Sequence, residues 1–322
     1  MNLTTRKISI IVPTLNPGKE NWIRWIDAIN CQTAEIHRVL VIDSSSDDDT
    51  VSISKEFGLD THTIKRQEFN HGKTRQLGAE LCQDSDILVY LTQDSILASP
   101  DSISEIIKPF EDKLVGAVCG RQLPHANANI LAKHSRLYNY GPTPKTNSLQ
   151  SEHLSIKTVF MSNSFAAYSK DILKKIGGFP SNTIVCEDMY VAAKILMANF
   201  KVSYSSSATT YHSHNYTIAD EFKRYFDIGV FHARESWIRE SFSNESKAGI
   251  RYAVSELQYA WKKEKSFILL SAVSSLSKYL AFKLGLNENA LPTSIKRILS
   301  MHSEFWSDHH VHSELTRENP GE

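Results

Sequence analysis

The sequence predicts an α/β protein organised on a mainly parallel sheet. Three stretches carry that prediction. Ile8–Val12, Arg38–Ile42 and the run opening Leu88–Ala98 are short apolar runs of strand length. Each stops abruptly in a polar loop and is followed by a helix-like segment. Strand, loop and helix repeated in that order is the pattern of parallel strands joined by crossover helices.

The elements follow in chain order. Ile8–Val12 is continuously apolar, as a strand covered on both faces must be. Pro13-Thr14-Leu15-Asn16-Pro17-Gly18 reads as a loop by its turn residues. Trp22, Ile23, Trp25, Ile26 and Ile29 then recur at helical spacing over Trp22–Asn30. Arg38–Ile42 ends at Asp43, a Ser/Asp run covers Ser44–Asp49, and Val51–Phe57 is helix-like. Thr61–Ile64 is a weaker strand, followed by the loop Arg66–Gly72 and a helix from Lys73 to Cys82. The run at Leu88 ends in Thr92-Gln93-Asp94-Ser95. A helix at Ser102–Phe110 and a strand at Val115–Gly120 come next.

Gln122–Ser155 is polar and aperiodic, an expected long loop region with one short helix near Ile130–Tyr138. Thr158–Ala167 is expected to be strand, Lys170–Ile176 helix, and Gly177-Gly178-Phe179-Pro180 a stop. Glu187–Asn199 reads as helix and Val202–Tyr211 as strand, leading into His212-Ser213-His214. From Tyr216 the texture changes to long helical patterns with aromatic and basic residues. The expected organisation is a sheet domain over 1–215, a helical extension over 216–307, and a polar, disordered tail over 308–322.

Bulk properties narrow the function classes. A hydrophobic fraction of 41% with 22% charged residues supports a packed core and argues against wholesale disorder. Lys plus Arg equals Asp plus Glu at 36 each, so no global basic field points to nucleic acid. Cys31, Cys82, Cys119 and Cys186 are far apart, lack metal-knuckle spacing and read as reduced core thiols of a cytosolic protein. The N-terminal apolar run is too short for a signal peptide and is broken by Pro13. No stretch of about 20 uninterrupted apolar residues is present, so no transmembrane helix is expected.

Several residues could carry chemistry. Asp94 is expected where a buried strand becomes a loop, and in open α/β sheets ligands bind at the carboxyl ends of strands. A carboxylate there can hold a hard cation through oxygen, or simply cap the next helix. Asp43 ends the second strand and can accept from a base N–H or a ribose hydroxyl; capping of the following helix is the alternative. Asp47, Asp48 and Asp49 read as a solvated capping cluster. No GxGxxG and no Walker-type lysine loop is present, which argues against a dinucleotide dehydrogenase or a kinase. Anion contacts are therefore assigned to Lys73 or Arg75, unless Arg75 is an ordinary surface helix residue. Glu187-Asp188 opens a helix, where one carboxylate can act as general base and the other orient it, or both can simply favour the helix dipole. His212 and His214 can converge on one ion or phosphate, or form a plain surface pair.

Taken in order, ISIIVPTLN at Ile8–Asn16, VLVIDSSSDDDT at Val39–Thr50, LTQDS at Leu91–Ser95, CED at Cys186–Asp188 and HSH at His212–His214 resemble the family 2 glycosyltransferases. That family has the GT-A fold, a Rossmann-like mixed, mainly parallel sheet flanked by helices, here followed by the helical extension. FNHGKTRQLG at Phe69–Gly78, GRQLP at Gly120–Pro124 and RLYNYG at Arg136–Gly141 are most similar to bacterial rhamnosyltransferases of O-antigen or related polysaccharides. The resemblance implies that Asp43 recognises the base and that Pro13, Thr14 and Asn16 line the nucleotide pocket. It also implies that Asp94 is the metal ligand of a DxD-type motif, with Mg²⁺ or Mn²⁺ as the metal. Thr92 and Gln93 stand where acids are common, so the ribose contact passes to Gln93. His212 or His214 completes the metal or diphosphate site, and Asp188 is the catalytic base with Glu187 beside it.

The implied reaction is an inverting displacement on a dTDP-L-rhamnose donor, with a saccharide on a polyprenyl diphosphate lipid as acceptor. The protein is then cytoplasmic and peripheral on the inner face of the membrane. Phe222, Tyr225, Phe226, Val230 and Phe231, interleaved with Lys223, Arg224, Arg234 and Arg239, and the apolar stretch Phe267–Phe282 suit a membrane surface. Packing on the catalytic domain or on a second subunit of a homo-oligomer is the alternative. Two other function classes stand beside the transferase. One is a non-catalytic nucleotide-sugar-binding scaffold, against which Asp94, Glu187-Asp188 and the HSH motif speak. The other is a nucleotidyltransferase, against which the single Gly and missing Arg of Pro13–Gly18 speak.

Overall fold

The computed structural model describes residues 6–242 and 248–307. The tail expected over 308–322 lies outside the described residues. The chain divides into two compact units. One holds residues up to Asn215 together with the segment beginning at Ser241; the other holds Tyr216–Glu240 and the chain from Lys247. The sequence boundary at 215/216 did not anticipate the return of Ser241 and Phe242 to the first unit.

In the first unit, β1 (Ile8–Thr14), α1 (Lys19–Asn30), β2 (Arg38–Asp43), α2 (Thr50–Glu56), β3 (Asp60–Thr63), α3 (His71–Leu81) and β4 (Ile87–Leu91) follow the expected strand–helix rhythm. Then come β5 (Ile96–Leu97), α4 (Ser102–Ile107), β6 (Val115–Leu123), α5 (Ile130–Asn139), β7 (Lys145–Asn147), β8 (Phe165–Ser169), α6 (Lys170–Lys175), α7 (Glu187–Met197) and β9 (Lys201–Tyr211). The sheet order is β3-β2-β1-β4-β8-β6-β9-β5, with β7 paired to β9. β3, β2, β1 and β4 are mutually parallel. β8 then runs antiparallel between β4 and β6, and β6 and β9 are parallel again.

Burial explains the composition of the strands. Every residue of β4 is buried, and β1 is buried throughout except at Pro13. Helices cover both faces of such strands, so alternation is lost. Trp22 and Trp25 of α1 stack at 4.9 Å inside the core. Their indole N–H groups donate to Ser54 Oγ (3.0 Å) and to the Thr92 carbonyl (3.2 Å). Buried indoles need such partners.

The structure differs from the sequence expectation at three places. Thr158–Ala167 is not one strand. A 3-10 turn covers Ile156–Val159, and β8 begins only at Phe165. The polar run Ser162-Asn163-Ser164 breaks the ladder, because Phe165 N–H donates to the Ser162 carbonyl (3.1 Å) and closes a local turn. Among the cysteines, Cys82 and Cys119 are buried, but Cys31 is exposed and Cys186 half-buried. Finally, one helical stretch, Lys265–Leu286, is long and apolar enough to cross a membrane by length and composition. Its serines are small and nearly neutral in hydropathy, so they do not interrupt it as the sequence reading supposed.

That stretch belongs to the second unit, built of α8 (Ile218–Arg234), α9 (Ser236–Phe242, whose last residues group with the first unit), α10 (Ala248–Lys263), α11 (Ile268–Leu286) and α12 (Thr293–Leu299). α11 turns an unusual stripe inward: Ser271, Ser274, Lys278, Ala281 and Gly285 are buried. Lys278 donates to Glu256 on α10 (3.3 Å) and lies 3.9 Å from Glu221 on α8. Leu269, Val273, Leu276, Leu280 and Leu284 occupy the outer face. α8 and α11 meet at glycines: a Cβ on Gly285 would lie 2.1 Å from the Phe226 carbonyl oxygen. Backbone cannot yield as a flexible side chain does, so Gly285→Ala is expected to cost about 1–3 kcal/mol, read as a lowered urea midpoint.

Candidate functional site

The site residues gather at the carboxyl ends of β1, β2 and β4, at the turn before β8, and where β9 and α7 meet the rim. The nucleotide-side residues knit two loops together. Thr14 Oγ1 donates to Asp43 Oδ1 (3.2 Å), and Ser46 donates to the same carboxylate through N–H (2.9 Å) and hydroxyl (2.6 Å). Asp43 is fully buried. Asn16 adopts φ 47°, a left-handed conformation that asparagine tolerates. Its N–H donates to Ser46 Oγ (2.9 Å) and its side-chain oxygen accepts from Asp47 N–H (2.7 Å). Gln93 is tied to Leu15 in both directions, accepting from its N–H (2.7 Å) and donating to its carbonyl (3.1 Å). The amide expected to reach a ribose therefore braces the β1–α1 loop. Pro13 continues β1, opposite Ile42, rather than opening the loop.

Asp94, His212 and His214 form one cluster. His212 Nε2 and His214 Nε2 lie 3.4 and 3.3 Å from Asp94 Oδ2, and 3.1 Å from each other. Gln122, which the sequence reading passed over, decides what that means. Its Nε2 donates to Ser162 Oγ (2.8 Å), so its Oε1 accepts from His212 Nδ1 (2.9 Å). With the proton on Nδ1, the Nε2 lone pair of His212 faces the carboxylate. The His212 lone pair, the carboxylate and His214 Nε2 converge at distances that a shared cation, or a proton on His214, reconciles. Ligand bonds of about 2.0–2.2 Å span such a triangle. The residues thus fit a divalent ion, and Gln122 plays the outer part that fixes a metal-binding histidine's tautomer. Burial would raise the Asp94 carboxyl, but where the imidazoles carry protons toward it, His212, Thr92 and His214 outweigh burial and hold it well below the usual carboxylate range. A cavity of about 170 Å³ opens beside Asp94, lined by Pro17, Asn21, Arg24, Gln93, Ile96 and His125.

The carboxylate pair opens α7. Cys186 precedes it at φ 62°, which turns the chain into the helix. Gly72 lets α3 approach, since a Cβ there would lie 1.8 Å from the Pro180 carbonyl oxygen. Glu187 is buried and pairs with Arg75 Nη1 at 3.2 Å, a salt bridge almost without solvent. Arg75 is buried, not a surface residue, and its guanidinium meets Glu187; Lys73, its neighbour on α3, is exposed. Asn163 donates from its side chain to Glu187 Oε1 (2.8 Å) and from its backbone N–H to Asp188 Oδ2 (3.1 Å). Met189 N–H donates to Asp188 Oδ1 (2.8 Å). Against its burial, Arg75, His71 and Asn163 hold Glu187 below its ordinary value. Desolvation and the adjacent Glu187 charge push Asp188 up to about 7. One carboxylate is held ionised and the other is poised to take a proton near neutrality.

A mixed α/β sheet with a cation-ready acid–histidine cluster and a tuned carboxylate pair on its rim is the architecture of a GT-A group-transfer enzyme. The model of glycosyl transferase family 2 matches residues 9–177, and the chain belongs to that family and is a glycosyltransferase. It is 43% identical over 301 residues to the O-antigen chain rhamnosyltransferase WbaN of Salmonella anatum, covering 93% of this chain and 96% of that one. It is also 43% identical to the O-antigen chain rhamnosyltransferase RfbN of Salmonella typhimurium, over 94% and 96% of the two chains. Among solved structures, the mannosyltransferase PcManGT from Pyrobaculum calidifontis, in complex with GDP-Man and Mn²⁺, shares the fold. Its TM-score is 0.59 at 18% identity, over 89% of each chain.

Proposed function

We propose that this glycosyltransferase moves L-rhamnose from dTDP-L-rhamnose, with inversion, onto a lipid-linked saccharide during O-antigen synthesis. The 43% identity over nearly the whole chain to two O-antigen chain rhamnosyltransferases is the observation that carries the donor and pathway. The site supports the chemistry. Asp188 takes the proton of the acceptor hydroxyl as its oxygen attacks the anomeric carbon from the face opposite the diphosphate. The bond from that carbon to the phosphate oxygen breaks, and its electron pair leaves with the nucleoside diphosphate. Arg75 keeps Glu187 ionised, and that charge maintains the basicity of Asp188. Asp94, His212 and His214 would hold Mg²⁺ or Mn²⁺, which when bound neutralises the charge of the leaving diphosphate. Asp43, Thr14, Asn16 and Pro13 shape the nucleotide end of the rim, Gln93 braces it, and Lys73 is the exposed cation nearest the α3 end. A screen of nucleotide sugars with a divalent ion and a lipid-linked acceptor tests the reading. Nucleoside diphosphate release is expected with dTDP-L-rhamnose. No release with any donor would leave a nucleotide-sugar-binding scaffold.

The outer face of α10 and α11 supports action at the inner surface of the cytoplasmic membrane. Leu269 is 75% exposed, Trp261 61% and Leu276 59%. Exposed Arg251, Lys262, Lys263, Lys265 and Lys283 border this face, with Glu264 the exposed acid among them. Apolar side chains rimmed by cations match an anionic lipid surface. Sedimentation with phosphatidylglycerol-containing vesicles is expected, and is expected to weaken at least about tenfold in Leu269→Asp/Leu276→Asp, since each buried apolar side chain contributes about 1.5–3 kcal/mol. Concentration-dependent dimerisation without vesicle binding would assign the face to a second copy.

A further inference from the structure

We infer that the turn Ser162-Asn163-Ser164 is a positioning element that holds the metal cluster and the base pair in one rigid frame, with Asn163 its central member. This rests on the transferase reading of Asp188. Three consecutive residues reach both halves of the site. Ser162 Oγ accepts from Gln122, which in turn orients His212. Ser164 Oγ lies 3.4 Å from His212 Nε2. Between them Asn163 uses every polar group of its side chain and its backbone N–H on the carboxylate side. The backbone N–H binds Asp188, the side-chain N–H binds Glu187, and the side-chain oxygen accepts from the buried Tyr168 hydroxyl (2.7 Å).

The turn is anchored where it can do this. It runs directly into β8, whose first residue, Phe165, pairs with Leu91, three residues before Asp94. Ala166 pairs with Cys119, three residues before Gln122. Phe165 is fully buried over Gly120, where a Cβ would lie 2.3 Å from its ring. β4, which leads into the Asp94 loop, and β6, which carries the glutamine that orients His212, therefore flank the strand from which the turn springs. Asn163 is the bridge from that sheet to α7. Its oxygen is fixed by Tyr168, so its amide cannot flip to present an acceptor to Glu187.

Asn163→Ala removes the bond to Glu187 and the hydroxyl's acceptor while keeping the backbone bond to Asp188. The expected result is a fall in kcat of about 10–100-fold, the usual size for loss of an orienting partner, with the donor KM and the Mn²⁺ affinity within about twofold of the parent. Tyr168→Phe, which keeps the ring and the core filled, is expected to lower kcat severalfold with the same unchanged KM. It serves if Asn163→Ala does not fold. Ser162→Ala acts on the other limb: direct Mn²⁺ titration without donor is expected to show weakened binding. Unchanged kcat in both Asn163→Ala and Tyr168→Phe overturns the inference. So does a rise in donor KM at constant kcat, which would make Asn163 a substrate contact. If Asp188→Asn transfers sugar normally, the base reading fails instead, which separates the two failures.

Discussion

Replacing Asp188 by asparagine is expected to abolish sugar transfer while leaving donor binding intact. The side chains are nearly the same size, so α7 keeps its first turn and Met189 N–H can still donate to the retained oxygen. What disappears is the ability to accept a proton in the transition state, a contribution of about 10²–10⁴ in rate, together with the acceptor of Asn163 N–H, which then faces an amide NH₂. Isothermal titration with the dTDP-sugar should match the parent, and product formation should fall by that factor. The parent enzyme should also show a definite pH profile. Asp188 is raised to about 7 by desolvation and by Glu187. A base works only when deprotonated, so kcat/KM should rise with pH through about 7 and level off above it. A profile flat from pH 5 to 8, or transfer by Asp188→Asn within tenfold of the parent, would place the base elsewhere.

Replacing Asp94 by alanine is expected to remove metal dependence together with most activity. The carboxylate is the anionic corner of the cluster and would supply the negative charge that a divalent ion held by His212 and His214 needs. Loss of an orienting outer partner alone typically costs about 10–100-fold in metal affinity, and loss of a direct ligand costs more. Direct Mn²⁺ titration of Asp94→Ala should therefore show affinity reduced beyond that range. His212→Ala should behave similarly, and Gln122→Ala more mildly. If Asp94→Ala binds and responds to Mn²⁺ as the parent does, the cluster is not the metal site.

The parts of this protein that could be read from its sequence are those where local chemistry and long-range packing agree. β1, β2 and β4 are apolar because both their faces are covered, and polar residues stand where each gives way to its loop: Thr14, Asp43 and, just past Leu91, Thr92. Asp43 and Asp94 stand out at or just past the ends of β2 and β4, Glu187-Asp188 at the start of α7, and the HSH pair just after β9. The residues that were missed, or like Arg75 were named without the partner they meet, derive their meaning from residues distant in the chain. Gln122 was expected to open a loop, but β6 runs through it to Leu123 and, lying beside β9, brings His212 to its side-chain oxygen. Arg75 has the sequence context of a surface helix residue, but Glu187, far along the chain, comes to meet it. Ser162-Asn163-Ser164 sits between apolar residues and reads as strand. It forms a turn because its side chains are committed to Gln122, Glu187 and the Ser164 N–H, while Phe165 N–H closes the backbone on the Ser162 carbonyl.

α11 inverts the habit of water-soluble helices, with Lys278 and serines turned in and leucines turned out. For such a helix, hydrophobicity cannot tell inside from outside. That information resides in the shared ammonium, which reaches carboxylates on two other helices at once. A charge with partners in one direction acts as a compass: rotating α11 so that its leucines face inward would strand Lys278, Glu256 and Glu221. The attraction among them grows as surrounding water is replaced by hydrocarbon.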